Sequence, residues 1–188
     1  MEKSRQTMGQ NYGQSKADQV RASKPESVWH ELGMLGLKIA AVVVITVLLF
    51  TFVYGVHYNS EPGMNTAVKD GDLVLYYRLS RDYNARDLAI VKFQGEKQVR
   101  RVIATGGDTV DITEQGLVIN GALQLEREIY EETECYVDGP AFPMTLGHNQ
   151  VFVLGDSREN AIDSRLYGVI NKEDTYGNVI TIVRRRNW

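Results

Sequence analysis

Hydrophobic and polar positions divide the chain into three materials. Residues 1–24 are polar, rich in Gln, Ser, Lys and Arg, with almost no apolar periodicity. Such a segment buries too little apolar surface to offset its ordering entropy, so a disordered tail is expected there. A short helix can begin at Lys24-Pro25-Glu26-Ser27, with Ser27 as its cap. Ile39 to Val56 then reads IAAVVVITVLLFTFVYGV without a charge, and Leu35 to Leu37 extend it. About 20 apolar residues cross the hydrocarbon core of a bilayer. The long charged lead-in and the missing A-x-A-like site argue against a cleaved signal peptide. The expected divisions are a cytoplasmic polar tail over 1–34, a transmembrane helix over 35–56 and an extracellular domain over 57–188. Tyr54 and Tyr58 suit an interfacial belt.

Beyond residue 57 short β-rich runs recur. They are 73–77, 88–93, 98–104, 109–112, 117–119, 151–154 and 179–183. Turn signals separate them, among them Asp70-Gly71-Asp72, Gly106-Gly107-Asp108 and Asn120-Gly121. Residues 113–121 predict a hairpin followed by a second turn. No helix-period segment of length follows. The pattern predicts an all-β domain, a small antiparallel barrel or packed sheets, behind one transmembrane helix.

Charge changes the picture mainly through orientation. Lys3, Arg5, Lys16, Arg21, Lys24 and Lys38 precede the end of the apolar run, and only Lys69 follows closely. The positive-inside rule then puts the N-terminus in the cytoplasm and the β domain outside the cell membrane, with the lipid bilayer as a partner. Net charge is −3, which gives no nucleic-acid footprint. One cysteine, Cys135, rules out an intramolecular disulfide and is expected to be semi-buried and structural. His30, His57 and His148 lack metal-ligand spacing, so no metal and no cofactor is expected. Glu126, Glu128, Glu131, Glu132 and Glu134, with Asp138 beyond, read as a solvated loop.

Three stretches carry the candidate chemistry: Pro62 to Asp72, Val99 to Val110, and Val151 to Gly168. Together they resemble bacterial signal peptidase I. Pro62, Met64, Gly71 and Asp72 match its first box. Arg101, Val102, Ile103, Gly107 and Asp108 match its second. Gly155, Asp156, Arg158, Asn160, Asp163, Ser164, Arg165 and Gly168 match its third, the most specific. The resemblance implies membrane-bound serine-type cleavage of signal peptides by a Ser-Lys dyad. A serine hydroxyl attacks, and a desolvated neutral lysine takes its proton.

The dyad positions depart from that pattern. The serine position is Gly63 and the lysine position is Arg100, whose guanidinium cannot be deprotonated in a protein. The position that orients the lysine is Ala161. The position that lends an oxyanion hydroxyl is Glu61, whose charge would oppose an oxyanion. Thr66 and Ala67 also depart from the first box. No catalytic residue is therefore expected. Met64, Arg101, Asp156, Arg158, Asp163, Ser164 and Arg165 are expected to frame the groove. Asp156 and Asp163 each have an arginine two residues on and read as salt-bridged turn scaffolding, and Asp108 as a turn former. Arg100 is expected to offer a fixed charge in the groove.

The changed positions resemble those of the catalytically inactive signal-peptidase-like proteins found with pilus genes in Gram-positive bacteria. That resemblance implies an accessory role in pilus assembly, with pilin precursors or a class C sortase as partners. Two other expectations stay open: an active endopeptidase with an unconventional nucleophile, with Ser60 and Thr66 too distant from position 63 to serve, and a scaffold whose groove is closed. The terminal Arg184-Arg185-Arg186-Asn187-Trp188 reads equally as a membrane-surface contact or a solvated end.

Overall fold

A computed structural model describes residues 26–184. The polar tail read over 1–24 and the final residues 185–188 lie outside the described residues. The chain divides into two units, one ending at Val47 and one beginning at Leu48. The first is formed by helix α1, Glu26–Leu48. A π-helical turn, Leu49–Val53, continues it. Val28–Val53 spans 26 residues at a mean hydropathy of 2.5, long and apolar enough to cross a membrane. Within it Thr46 donates its hydroxyl to the Val42 carbonyl at 2.8 Å, which keeps that polar group satisfied in an apolar setting.

The helical stretch ends three residues earlier than the apolar run. Tyr54–Tyr58 forms strand β1 and pairs antiparallel along its length with β2, Leu73–Tyr77. Residues 54–56, expected as helix, are thus sheet. Their backbone groups find partners in β2 that a helix end would leave unmet.

Nine further strands follow: β3 Leu88–Phe93, β4 Glu96–Thr105, β5 Thr109–Thr113, β6 Gly116–Ile119, β7 Ala122–Leu123, β8 Met144–Thr145, β9 Gln150–Leu154, β10 Ile170–Asn171 and β11 Gly177–Val183. One seven-stranded antiparallel sheet runs β1-β2-β11-β3-β4-β9-β10. A four-stranded sheet runs β7-β6-β5-β8. The fold is all-β, as the alternation predicts, and the runs read from the sequence fall on β2, β3, β4, β5, β6, β9 and β11. The β6–β7 turn is Asn120-Gly121, with φ of 52° and 80°. Positive φ at both central residues matches the right-handed strand twist and explains the Asn-Gly pair.

Strand β4 organises the domain. Its register on β9 shifts between Val102 and Ala104, a bulge that bends the strand on its way to the second sheet. Met64, Val68, Val74, Tyr76, Ile90 and Val99 pack one buried cluster. Ala104, Val110, Leu117, Leu146, Phe152 and Leu154 pack another between the sheets. The first box, the middle of β4 and the segment after β9 meet at the edge of these clusters.

Candidate functional site

The first box forms a 3₁₀ turn, Pro62–Met64, with Pro62 at its start, where a missing N–H costs nothing. Met64 is buried, and its Sδ accepts the Asp156 N–H at 3.4 Å. The Gly63 carbonyl accepts the Ser157 N–H at 3.1 Å. These two bonds clip this turn to the third box. Asp72 accepts from the Lys69 N–H at 3.0 Å and closes the loop behind.

The third box supports itself. One Asp163 oxygen accepts the Gly155 N–H at 3.0 Å; the other accepts the Arg165 N–H at 3.1 Å and caps the short helix α2, Ser164–Tyr167. Arg165 Nε reaches Asp163 at 2.9 Å, and its Nη2 reaches the Arg158 carbonyl at 2.6 Å. Ser164 Oγ accepts the Val153 N–H at 3.0 Å. A Cβ on Gly155 would stand 2.1 Å from the Ala161 Cβ and 2.5 Å from the Gly63 carbonyl oxygen, so only glycine lets the two boxes touch.

Period-two alternation on β4 sends Arg100 and Arg101 to opposite faces. Arg101 makes a fork with Asp156, at 2.7 and 2.6 Å, and also donates to the Arg86 carbonyl at 3.0 Å. Asp156 therefore pairs with Arg101, and not with Arg158 as the spacing suggested. Arg158, wholly buried, reaches Glu126 at 2.9 and 2.6 Å and also bonds Thr133. The Asp163–Arg165 pair and the Asp108 turn are as expected; Asp108 accepts the Thr105 N–H at 2.9 Å.

Gly63, Arg100, Ala161 and Glu61 come together. A Cβ built on Gly63 would lie 3.3 Å from Ala161 Cα, Ala161 Cβ and Arg100 Nη1. Arg100 has a relative exposure of 0%. Its guanidinium pairs in a fork with Glu61, the Nη2–Oε2 distance being 3.1 Å. Nη1 also donates to the Val99 carbonyl at 2.6 Å. Nε and Nη2 donate to the Ile162 carbonyl at 3.0 and 2.9 Å. A guanidinium has five N–H groups, and all five are committed here. This corrects two expectations. Arg100 is not a free charge in the groove, and Glu61 is not an unopposed anion: each neutralises the other in the space around Gly63.

Other groups frame this pair. Burial pushes the Tyr167 phenol well above its ordinary range, with Arg100 beside it as a weaker opposing influence. Its hydroxyl and Gln98 Oε1 have no hydrogen-bond partner in the structure. His57 lies below its ordinary value, first through burial, then through the Lys97 charge, with Glu61 opposing.

The acidic stretch is more than a solvated loop. Glu126 closes on Arg158, Glu131 accepts from the Glu159 N–H at 2.9 Å, and Tyr136 donates to the Ala161 carbonyl at 2.6 Å. These residues strap the third box from outside and carry no local sequence motif. Cys135 is exposed, against the semi-buried expectation. No group of metal ligands occurs among the described residues.

Comparison with known proteins adds a family. The family model described as signal peptidase, peptidase S26, matches residues 32–184. A probable signal peptidase I-2 of Synechocystis is 26% identical over 168 residues, covering 84% of this chain and 74% of that protein. A signal peptidase I P of Bacillus subtilis subsp. natto is 24% identical, covering 74% and 83%. A signal peptidase I of Bacillus licheniformis is 27% identical, covering 72% and 79%. Among solved structures, a signal peptidase I from Enterococcus faecalis V583 is similar at 23% identity and a TM-score of 0.44, covering 53% of this chain and 97% of that one.

Proposed function

We propose that this chain, which belongs to the signal peptidase family, peptidase S26, is a membrane-anchored member that binds polypeptide without cleaving it. One observation carries this reading. The space where a nucleophile and a neutral base would meet holds Gly63 and the Glu61–Arg100 ion pair, with every guanidinium N–H committed. A group that keeps its proton cannot accept one from an attacking hydroxyl.

Binding needs no nucleophile. Among the described residues strand β1 pairs with β2 alone, and residues 96–100 of β4 have no strand partner on the β9 side, where pairing begins at Arg101. These edges suit an added strand from a partner. In this reading helix α1 and the following turn anchor the chain with its N-terminus in the cytoplasm, and the β domain faces outward. The partner is a pilin precursor or a class C sortase, and the role is accessory, in pilus assembly. The test is titration of the full chain in lipid nanodiscs against pilin segments, a class C sortase and a signal peptide. Saturable binding of pilin or sortase supports the role; binding of the signal peptide alone contradicts it.

The named relatives favour a second reading, a signal-peptide-cleaving serine-type endopeptidase with a different nucleophile. The hydroxyl that supports it is Ser157, whose N–H meets the Gly63 carbonyl and whose Oγ lies 3.3 Å from Glu131. A fluorophosphonate adduct on Ser157, lost in Ser157→Ala, would establish it.

A further inference from the structure

On the face of β4 that carries Arg101, away from Gly63, lies a cavity of about 490 Å³ between the two sheets. That volume is in the range of sites for small ligands and peptide ends. Its floor is apolar: Ile103 and Ile119 are partly exposed there, and Val102 and Leu117 are buried in the core. Three cations and three anions line it as well, and half of these six are paired. Arg101 is paired with Asp156, and Glu126 with Arg158. Among the described residues Arg86, Arg127 and Glu128 have no side-chain hydrogen bond or ion pair, although the charge of Glu128 reaches Arg101.

Arg86 is also held in an unusual way. Its φ is 79°, in the left-handed region that a non-glycine residue adopts at a cost of order 1–3 kcal/mol. Three backbone contacts hold it there. Its N–H donates to the Val102 carbonyl at 2.7 Å, the Val102 N–H returns to the Asp87 carbonyl at 2.8 Å, and its own carbonyl accepts from Arg101 at 3.0 Å. These contacts hold the Arg86 backbone at the rim of the cavity.

We infer that this cavity binds the C-terminal end of a peptide whose last side chains are apolar. Those side chains fill the floor. The terminal carboxylate lies between Arg86 and Arg127, where a guanidinium fork fits it. Glu128 accepts a backbone N–H of the incoming peptide. That unpaired acceptor favours a peptide over a fatty-acid anion, which has no N–H to donate. The site is separate from the groove beside Gly63 and stands whether or not the chain cleaves.

The experiment is isothermal titration of the full chain in nanodiscs with acetyl-Gly-Leu-Leu, as the free acid and as the terminal amide. The acid is expected to bind at least tenfold more tightly. In the Arg86→Gln/Arg127→Gln variant that gap closes, and Glu128→Gln weakens both forms. Both arginines are exposed, so the substitutions leave the fold intact. Equal affinity for acid and amide, an undiminished gap in the double variant, or no binding of either form would overturn the proposal.

Discussion

At the scale of single residues, the Glu61–Arg100 pair has the largest consequences. Arg100 is wholly buried and Glu61 is 25% exposed, so removing one partner strands a buried charge. Glu61→Gln is expected to destabilise the β domain by about 2–4 kcal/mol, near the lower part of the range for broken buried pairs. Glu61→Gln/Arg100→Met should cost less than the sum of the single changes. The two couple by more than about 1 kcal/mol in a double-mutant cycle of urea unfolding followed by near-UV dichroism. His57 gives a pH signature. Its folded pKa lies below 6.5 because burial and Lys97 disfavour the charged form. Above pH 6.5 both folded and unfolded states are neutral at this site. As pH falls below 6.5 the unfolded chain takes up the proton first, and stability is lost until the lower folded pKa is passed. His57→Gln should flatten that part of the stability profile; an unchanged slope below pH 6.5 would remove His57 as its source.

At the scale of elements, the site depends on how closely the first and third boxes approach. The contact of Gly155 with Ala161 and Gly63 leaves no room for a methyl group. Gly155→Ala is expected to cost about 2–4 kcal/mol by overpacking against backbone, read as a fall in thermal midpoint, whereas Gly95→Ala on an open turn should be limited to the strain of its φ of 91°. Strand existence was legible because alternation and Asn-Gly or Gly-Gly turns are local signals. Strand β1 was not legible, since Tyr54-Gly55-Val56 is apolar enough to continue the helix and only pairing with β2 decides otherwise. The partners of Arg158 were not legible either. Glu126 and Thr133 stand 32 and 25 residues away, on a loop with no periodicity.

At the scale of the whole molecule, the boxes gave the family because their spacing is set by contacts between distant strands, and the identity of the departed positions could be read directly. What those departures do together could not. Sequence shows a positive charge at 100 and a negative one at 61; only the fold shows them joined over Gly63. Under the proposed function Gly63→Ser alone is expected to confer no cleavage, because no base is supplied and the added Cβ meets Arg100 and Ala161 at 3.3 Å. The most direct test is to incubate the full chain in nanodiscs with a preprotein carrying a cleavable signal peptide and, in parallel, with a serine-directed fluorophosphonate, reading both by intact mass. The account predicts an uncut precursor and an unlabelled chain. Cleavage at the end of the signal peptide, abolished by substituting a labelled residue of this chain, would contradict it.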